Sequence, residues 1–179
     1  MFPYKIDNEI SLILPNPEKH GPTMFNLIKV NRSYLAKWLP WANDMKSVND
    51  ELNFLDANLK QYFAENSLNL LIQYCNKLVG TISFNTINHN RKLADIGYWM
   101  GKKYSGHNIM HRCVLGILSI GFEHYGLNKI MINAAVDNIA SNHVAENCHF
   151  HLDGVLREHE LLSDGFHDEN TWSMLKKEY

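Results

Sequence analysis

Residues Asp95 to Asn108 read D-I-G-Y-W-M-G-K-K-Y-S-G-H-N, and no other stretch restricts the fold as strongly. Ile96, Tyr98 and Met100 alternate with their neighbours, which is the period of a strand. A short basic turn with Gly106 follows. An amphipathic helical pattern then runs from Ile109 to about His124, with Met110, Cys113, Val114, Ile117, Leu118 and Phe122 on its buried face. A strand that feeds a helix through a glycine turn leaves the first helical N–H groups free, and the helix dipole adds partial positive charge there. Such junctions hold either a phosphate or only water. Gly106 admits close approach of a ligand, and Lys102 and Lys103 add charge. A phosphorylated ligand is therefore expected at this turn.

The rest of the chain fits around that unit. Ile10–Leu14 reads as a first strand closed by Pro15 and Pro17. A helical pattern spans Thr23–Leu39 and stops at Pro40. Ser47 is a good N-cap for a second helix with Val48, Leu52, Leu55, Leu59 and Phe63 on one stripe. Leu68–Tyr74, Leu78–Thr86 and Lys92–Met100 follow as strands with short connections, hence antiparallel hairpins. After the central helix come a buried strand (Lys129–Val136), a short helix (Ala140–Asn147) and two strands (Phe150–Leu162 and Thr171–Leu175) with a turn at Asp164-Gly165. The expected class is mixed α/β: one mostly antiparallel twisted sheet with a parallel strand–helix–strand crossover and flanking helices. The 179 residues suit a single domain, 1–179.

Composition removes several classes of function. A formal net charge of -2 gives no basic field for nucleic acid. No apolar run approaches bilayer length and mean hydropathy is -0.30, so no membrane partner is expected. The N-terminus lacks a signal-peptide pattern, which makes the cytoplasm the default location. Cys75, Cys113 and Cys148 are odd in number and form no C-x-x-C pair, so structural thiols are expected rather than a catalytic one.

Four segments carry a family resemblance: W-L-P-W (Trp38–Trp41), A-D-I-G-Y-W (Ala94–Trp99), K-Y-S-G-H-N-I-M (Lys103–Met110) and D-N-I-A-S-N-H-V-A-E-N-C-H-F (Asp137–Phe150). G-V-L-R-E (Gly154–Glu158) and the D-x-x-x-W-S-x-L ending at Asp168–Leu175 extend it. Together they resemble the GNAT acetyltransferase superfamily, and within it the Rim-type branch of ribosomal-protein serine and alanine N-terminal acetyltransferases. The resemblance implies the GNAT fold and acetyl transfer from acetyl-CoA to an amine by direct attack. The implied acceptor is a protein or peptide N-terminus, with a small amine as the rival. A non-catalytic acyl-CoA-binding domain is the reading from another class. The resemblance also leaves room for a homodimer.

Two positions depart from the family pattern. Its loop usually reads [QR]-x-x-G-x-[GA], where this chain has Lys103 first and Asn108 last. Asn tolerates left-handed backbone angles, so the turn is expected to survive. The family usually has Gly before Phe150, where this chain has His149; a positive φ there would be strained.

The resemblance implies cofactor contacts from Trp99, Met100, Lys103, Ser105, Gly106, His107, Asn108, Ile109, Met110 and Asn138, with a backbone N–H near Tyr98–Met100 polarising the thioester carbonyl. Many superfamily members protonate the leaving thiolate with a Tyr. The matching residue here is Ala145, and the N-x-x-S pattern of Asn138 and Ser141 offers a hydroxyl instead. Asp95, Glu158 and Glu160 are the candidate carboxylate bases. An α-amine with pKa about 7.7–8.0 is roughly a tenth to a sixth neutral at pH 7, against about one lysine amine in 2500, so an N-terminal acceptor needs little help from a base. Alignment of amine and thioester would supply most of the acceleration.

Each candidate has an ordinary alternative. Asn138 and Ser141 also read as a helix cap and first turn, Asp95 as a solvated strand residue, and Glu158 and Glu160 as two residues of one strand face in surface ion pairs. Trp38 and Trp41 read as acceptor wall or as core, and Asn85, His89 and Arg91 as groove edge or hairpin. His107 and His111 have the i, i+4 spacing of zinc ligands, and His143, His149 and His151 form a second group, but neither set has an evident acidic or thiol partner, so no metal is expected.

Overall fold

The computed structural model describes residues 2–179. Eight strands form one sheet: β1 (Tyr4–Lys5), β2 (Ile10–Ile13), β3 (Leu68–Tyr74), β4 (Lys77–Asn88), β5 (Leu93–Met100), β6 (Lys129–Ala135), β7 (His151–Leu162) and β8 (Gly165–Leu175). Their spatial order is β1-β2-β3-β4-β5-β6-β8-β7. Every neighbouring pair is antiparallel except β5 and β6, which run parallel. Four helices flank the sheet: α1 (Pro17–Leu35), α2 (Val48–Phe63), α3 (Ile109–Ser119) and α4 (Ile139–Asn147). A π-helical turn, Ile120–His124, extends α3 and completes the crossover from β5 to β6.

The apolar run in β3 shows why the sheet is covered on both faces. Leu70 and Ile72 join the main core with Phe84, Ile117, Phe122 and Ile130, whereas Leu71 points the other way and packs with Met24 and Leu27 of α1 and Leu55 of α2. All three leucine and isoleucine side chains are fully buried. Each contributes about 1.5–3 kcal/mol by leaving water.

Sequence and structure differ at element ends. Helix α1 begins at Pro17, not Thr23. Asn16 accepts a capping hydrogen bond from the Lys19 N–H at 2.9 Å, and Pro17 stands in the first turn, where a missing N–H costs nothing. Pro22 lies only one turn further in, and the helix absorbs it. The helix stops at Leu35, and Pro40 opens a separate 3-10 turn, Pro40–Asn43. Strand β8 starts at Gly165 because the Asp164-Gly165 turn feeds it directly. The Ser47 cap of α2 forms a full capping box with Asp50.

Helix α4 ends with His149 at φ 62°. The His149 N–H reaches Glu146 O at 2.9 Å and the Phe150 N–H reaches Ala145 O at 3.0 Å. That is a Schellman motif with His in the place that favours Gly. Among the described residues no helix is long and apolar enough to cross a membrane.

Candidate active site

The parallel pair β5–β6 is short. Leu93–Ile96 lie opposite Lys129–Ile132, and the pairing then ends, while β5 continues beside β4 as far as Met100. From Gly97 to Met100 the strand edge that faced β6 is left open. Unpaired main-chain groups there need a partner. The gap widens into a cavity of about 690 Å³, lined by β5, by Asn133–Ala135 of β6, and by residues of α3 and α4.

The start of α3 borders this cavity. Asn108 occupies the N-cap in the left-handed region, φ 56°, and its side chain makes no capping bond. The N–H groups of Ile109, Met110 and His111 precede the first helical bond, from the Arg112 N–H to Asn108 O. Gly106 holds φ 79°, and a Cβ there would meet nothing within 4 Å. An open turn with uncapped N–H groups on the cavity wall fits the pyrophosphate of coenzyme A. Trp99, Met100, Ser105, Gly106, Asn108, Ile109, Met110 and Asn138 all line the cavity. Lys103 and His107 do not. The Lys103 ammonium sits 4.9 Å from the Tyr104 ring centroid, and His107 Nδ1 turns back to Ser105 O at 2.9 Å. Both follow the loop's own surface instead of the cavity.

Asn138 and Ser141 share the opposite wall. Asn138 caps α4, accepting from the Ser141 N–H at 3.3 Å. Ser141 Oγ lies 2.9 Å from the Tyr98 hydroxyl, which also donates to Ser141 O at 3.1 Å. Burial pushes the Tyr98 phenol well above its ordinary pKa, so it stays protonated. No motif announces this contact. Tyr98 falls on the same alternation as Ile96 and Met100, and that period speaks of core. Asn142 locks the helix in place: its Oδ1 accepts from Asn170 Nδ2 at 2.7 Å and Trp172 Nε1 at 2.9 Å, while its Nδ2 donates to Ala135 O at 2.9 Å. Ala145, at the usual Tyr place, is fully buried.

Three carboxylates line the cavity: Asp95, Glu160 and Glu169. A bulge in β4 at Asn85 presents its amide to Asp95, with Nδ2 donating to Asp95 Oδ2 at 2.9 Å. Asn85 Oδ1 in turn accepts from Ser83 Oγ at 2.8 Å. Gly97 makes room for this, since a Cβ there would meet the Asn85 amide at 2.6 Å. Glu158 and Glu160 do not share a face as strand alternation predicts. The β7 register breaks between Leu156 and Glu160, and Glu158 sits in the break with φ 50° and an exposed side chain. Burial, followed by the neighbouring Glu169 carboxylate, raises the Glu160 pKa. Glu169 itself was missed in the sequence because it belongs to a stretch without clear alternation.

Trp38 lines the cavity, but Trp41 does not. The half-buried Trp41 ring packs 6.1 Å from Trp99 and stacks on the exposed Phe54 at 6.4 Å. The 3-10 turn at Pro40 rotates the two tryptophans apart. His89 and Arg91 stay at the hairpin, where His89 Nε2 lies 2.7 Å from Glu65 O. Burial pushes the Cys113 and Cys148 thiols up to about 12, so neither is a thiolate at neutral pH. His111 turns to Cys148, with Nδ1 3.3 Å from Sγ. Among the described residues no three His, Cys, Asp or Glu side chains converge as a metal set.

The chain is similar to known proteins in sequence and fold. The microcin C7 self-immunity acetyltransferase MccE, whose crystal structure holds acetyl-CoA and AMP, is 31% identical with a TM-score of 0.91, over 96% of this chain and 94% of that one. The ribosomal L7/L12 α-N-protein acetyltransferase RimL in complex with coenzyme A is 26% identical with a TM-score of 0.93, over 98% of each chain. The ribosomal-protein-serine acetyltransferase of Escherichia coli (strain K12) is 28% identical over 158 residues, 88% of each sequence. Residues 11–151 match the acetyltransferase (GNAT) domain model, and with the split β5–β6 pair and the uncapped α3 turn the chain belongs to the GNAT acetyltransferase family, an acetyl-CoA-dependent transferase.

Proposed function

We propose that this enzyme acetylates the N-terminal α-amine of a protein or peptide, such as a ribosomal protein, with residues 1–179 acting as one domain in the cytoplasm. One observation carries the reading. A single 690 Å³ cavity joins an open strand edge and an uncapped helix start to the Ser141 hydroxyl and three carboxylates. The printed activities of RimL and of the Escherichia coli relative support an N-terminal acceptor.

Bound acetyl-CoA supplies the activated thioester. Backbone N–H groups from Gly106 to Met110 hold its phosphates, and Trp99 and Met100 flank the opened strand edge. Glu160 takes a proton from the incoming ammonium. Asp95, steered by Asn85, orients that nitrogen, and Trp38 forms the apolar wall beside it. Ser141, positioned by the Asn138 cap and the Tyr98 hydroxyl, donates to the departing sulfur. The unpaired edge strand β7 with exposed Val155, Leu156 and Leu161 supports a homodimer.

The test is a panel of basic peptides with N-terminal Ser or Ala, assayed by release of the coenzyme thiol, beside the same peptides blocked at the α-amine. Turnover only with the free α-amine is expected. Turnover of small amines alone would select the second reading, a small-molecule acceptor, which the AMP held by MccE favours.

A further inference from the structure

We infer that Glu169 and His159 are positioning residues that hold Glu160 ready as the proton acceptor of the site. The inference rests on the reading of Glu160 as base and extends it to two residues with no place in that reading. The geometry begins with the bulge in β7. Leu156 lies opposite Glu169 and Glu160 lies opposite His167, so Arg157, Glu158 and His159 together face only Asp168. The Glu158 N–H is tied to Asp168 Oδ1 at 2.8 Å, which fixes the bulge. In a regular strand His159 and Glu160 would point to opposite faces. Here both reach the Glu169 side chain: His159 Nδ1 lies 2.6 Å from Glu169 Oε2, and Glu160 meets the Glu169 carboxyl. Re-aiming a side chain is what such irregularities do beside active sites.

Burial separates the roles. Glu169 is only 4% exposed, and His159 gives it a short hydrogen bond to satisfy its charge. Glu160 is less buried and lines the cavity. Two carboxyls in contact cannot both ionise freely. His159 occupies the Glu169 carboxyl, and beside it Glu160 gains proton affinity. The remaining charged groups around Glu160 are few. His167 stands across from it on β8, bonded to Asp164 at 2.9 Å and 3.6 Å from Asp137. Asp95 faces the same cavity from β5.

Protons balance as follows. An ammonium acceptor loses two protons in becoming an amide. Glu160 takes the first before the C–N bond forms, and the second leaves with the thiol as the C–S bond breaks. Glu160 then returns its proton to solvent.

The decisive experiment is a pH titration of the Glu160 carboxyl carbon by NMR in the full-length protein with labelled glutamate, read for wild type, Glu169→Gln and His159→Ala, with Glu160→Gln to assign the signal. Glu169→Gln should lower the Glu160 midpoint by about one pH unit, and His159→Ala should raise it by about half a unit. A merely structural role would not move the two in opposite directions. The acid limb of the peptide pH–rate profile should follow in the same sense. A Glu160 midpoint unchanged in both variants, with wild-type thermal stability, overturns the inference. Because the titration needs no acceptor, its outcome is independent of the function reading, which fails separately if Glu160→Gln turns over peptide at the wild-type rate.

Discussion

The hydroxyl of Tyr98, on β5, and Oγ of Ser141, in the first turn of α4, lie 2.9 Å apart across the cavity. Tyr98 gives its one proton to Ser141 O, so the Ser141 hydroxyl donates to Tyr98 at rest and turns to the sulfur as charge develops there. Ser141→Ala should lower kcat by about 10²-fold with little change in KM for acetyl-CoA, as expected for a group that acts late in the reaction. Tyr98→Phe should cost less, about threefold to tenfold, because Ser141 keeps its place through the Asn138 cap. Steady-state kinetics on both variants checks the order.

Gly97 serves the neighbouring Asn85. Gly97→Ala places a methyl 2.6 Å from the Asn85 amide and must push it off Asp95. The expected result is a rise of about tenfold in KM for the acceptor, with KM for acetyl-CoA nearly unchanged. If instead both constants shifted together, Asn85 would be a packing residue only.

The loop offers a contrast between two left-handed positions. The Cβ of Gly106→Ala meets no protein atom within 4 Å, so its cost within the protein is backbone strain, about 1–2 kcal/mol, or roughly 5–30-fold in acetyl-CoA affinity. Asn108→Gly relieves such strain at φ 56° and should bind acetyl-CoA as well as wild type or better. Calorimetry on the pair measures both.

Glu51, in the first turn of α2, is 2% exposed, and its Oε2 finds no hydrogen-bond partner among the described residues. Burial pushes its pKa up to about 7 from 4.5. A raised folded-state pKa means that the folded protein holds the proton more tightly than the unfolded chain. Stability is therefore full below pH 4.5, falls as pH rises, and levels off above about pH 7. Glu51→Gln should change little at pH 4.5 and raise stability at pH 8 by about 2–3 kcal/mol. Thermal melts at the two values decide it.

Much of the fold could be read from period alone. The strand–turn–helix at Asp95–His124 and the Ser47 cap both rest on local patterns that the structure retains. Helix α1 starts before the Thr23–Leu39 pattern because its prolines, Pro17 and Pro22, stand near its N-terminus, and it ends before Pro40 because the chain leaves the helix at Leu35. The candidate site was less legible. Gly106 stands in a local strand–turn–helix pattern, whereas Asn138 and Ser141 were named through the family resemblance. Tyr98, Glu169 and His159 act through partners 43 and 10 residues away. Period places Tyr98 in the core, and a strand irregularity that no composition signals turns His159 toward Glu169. Trp41 looked equivalent to Trp38 until the intervening 3-10 turn set them in different surroundings.

The early parting of β5 and β6 has an evolutionary consequence. A binding site made from an unfinished sheet edge is written in main chain, and main chain is common to every residue type. Side chains around it can drift while the grip persists. Relatives at 26–31% identity accordingly keep almost the same chain path. On such a scaffold the side chains that choose an acceptor can change without the grip being rebuilt.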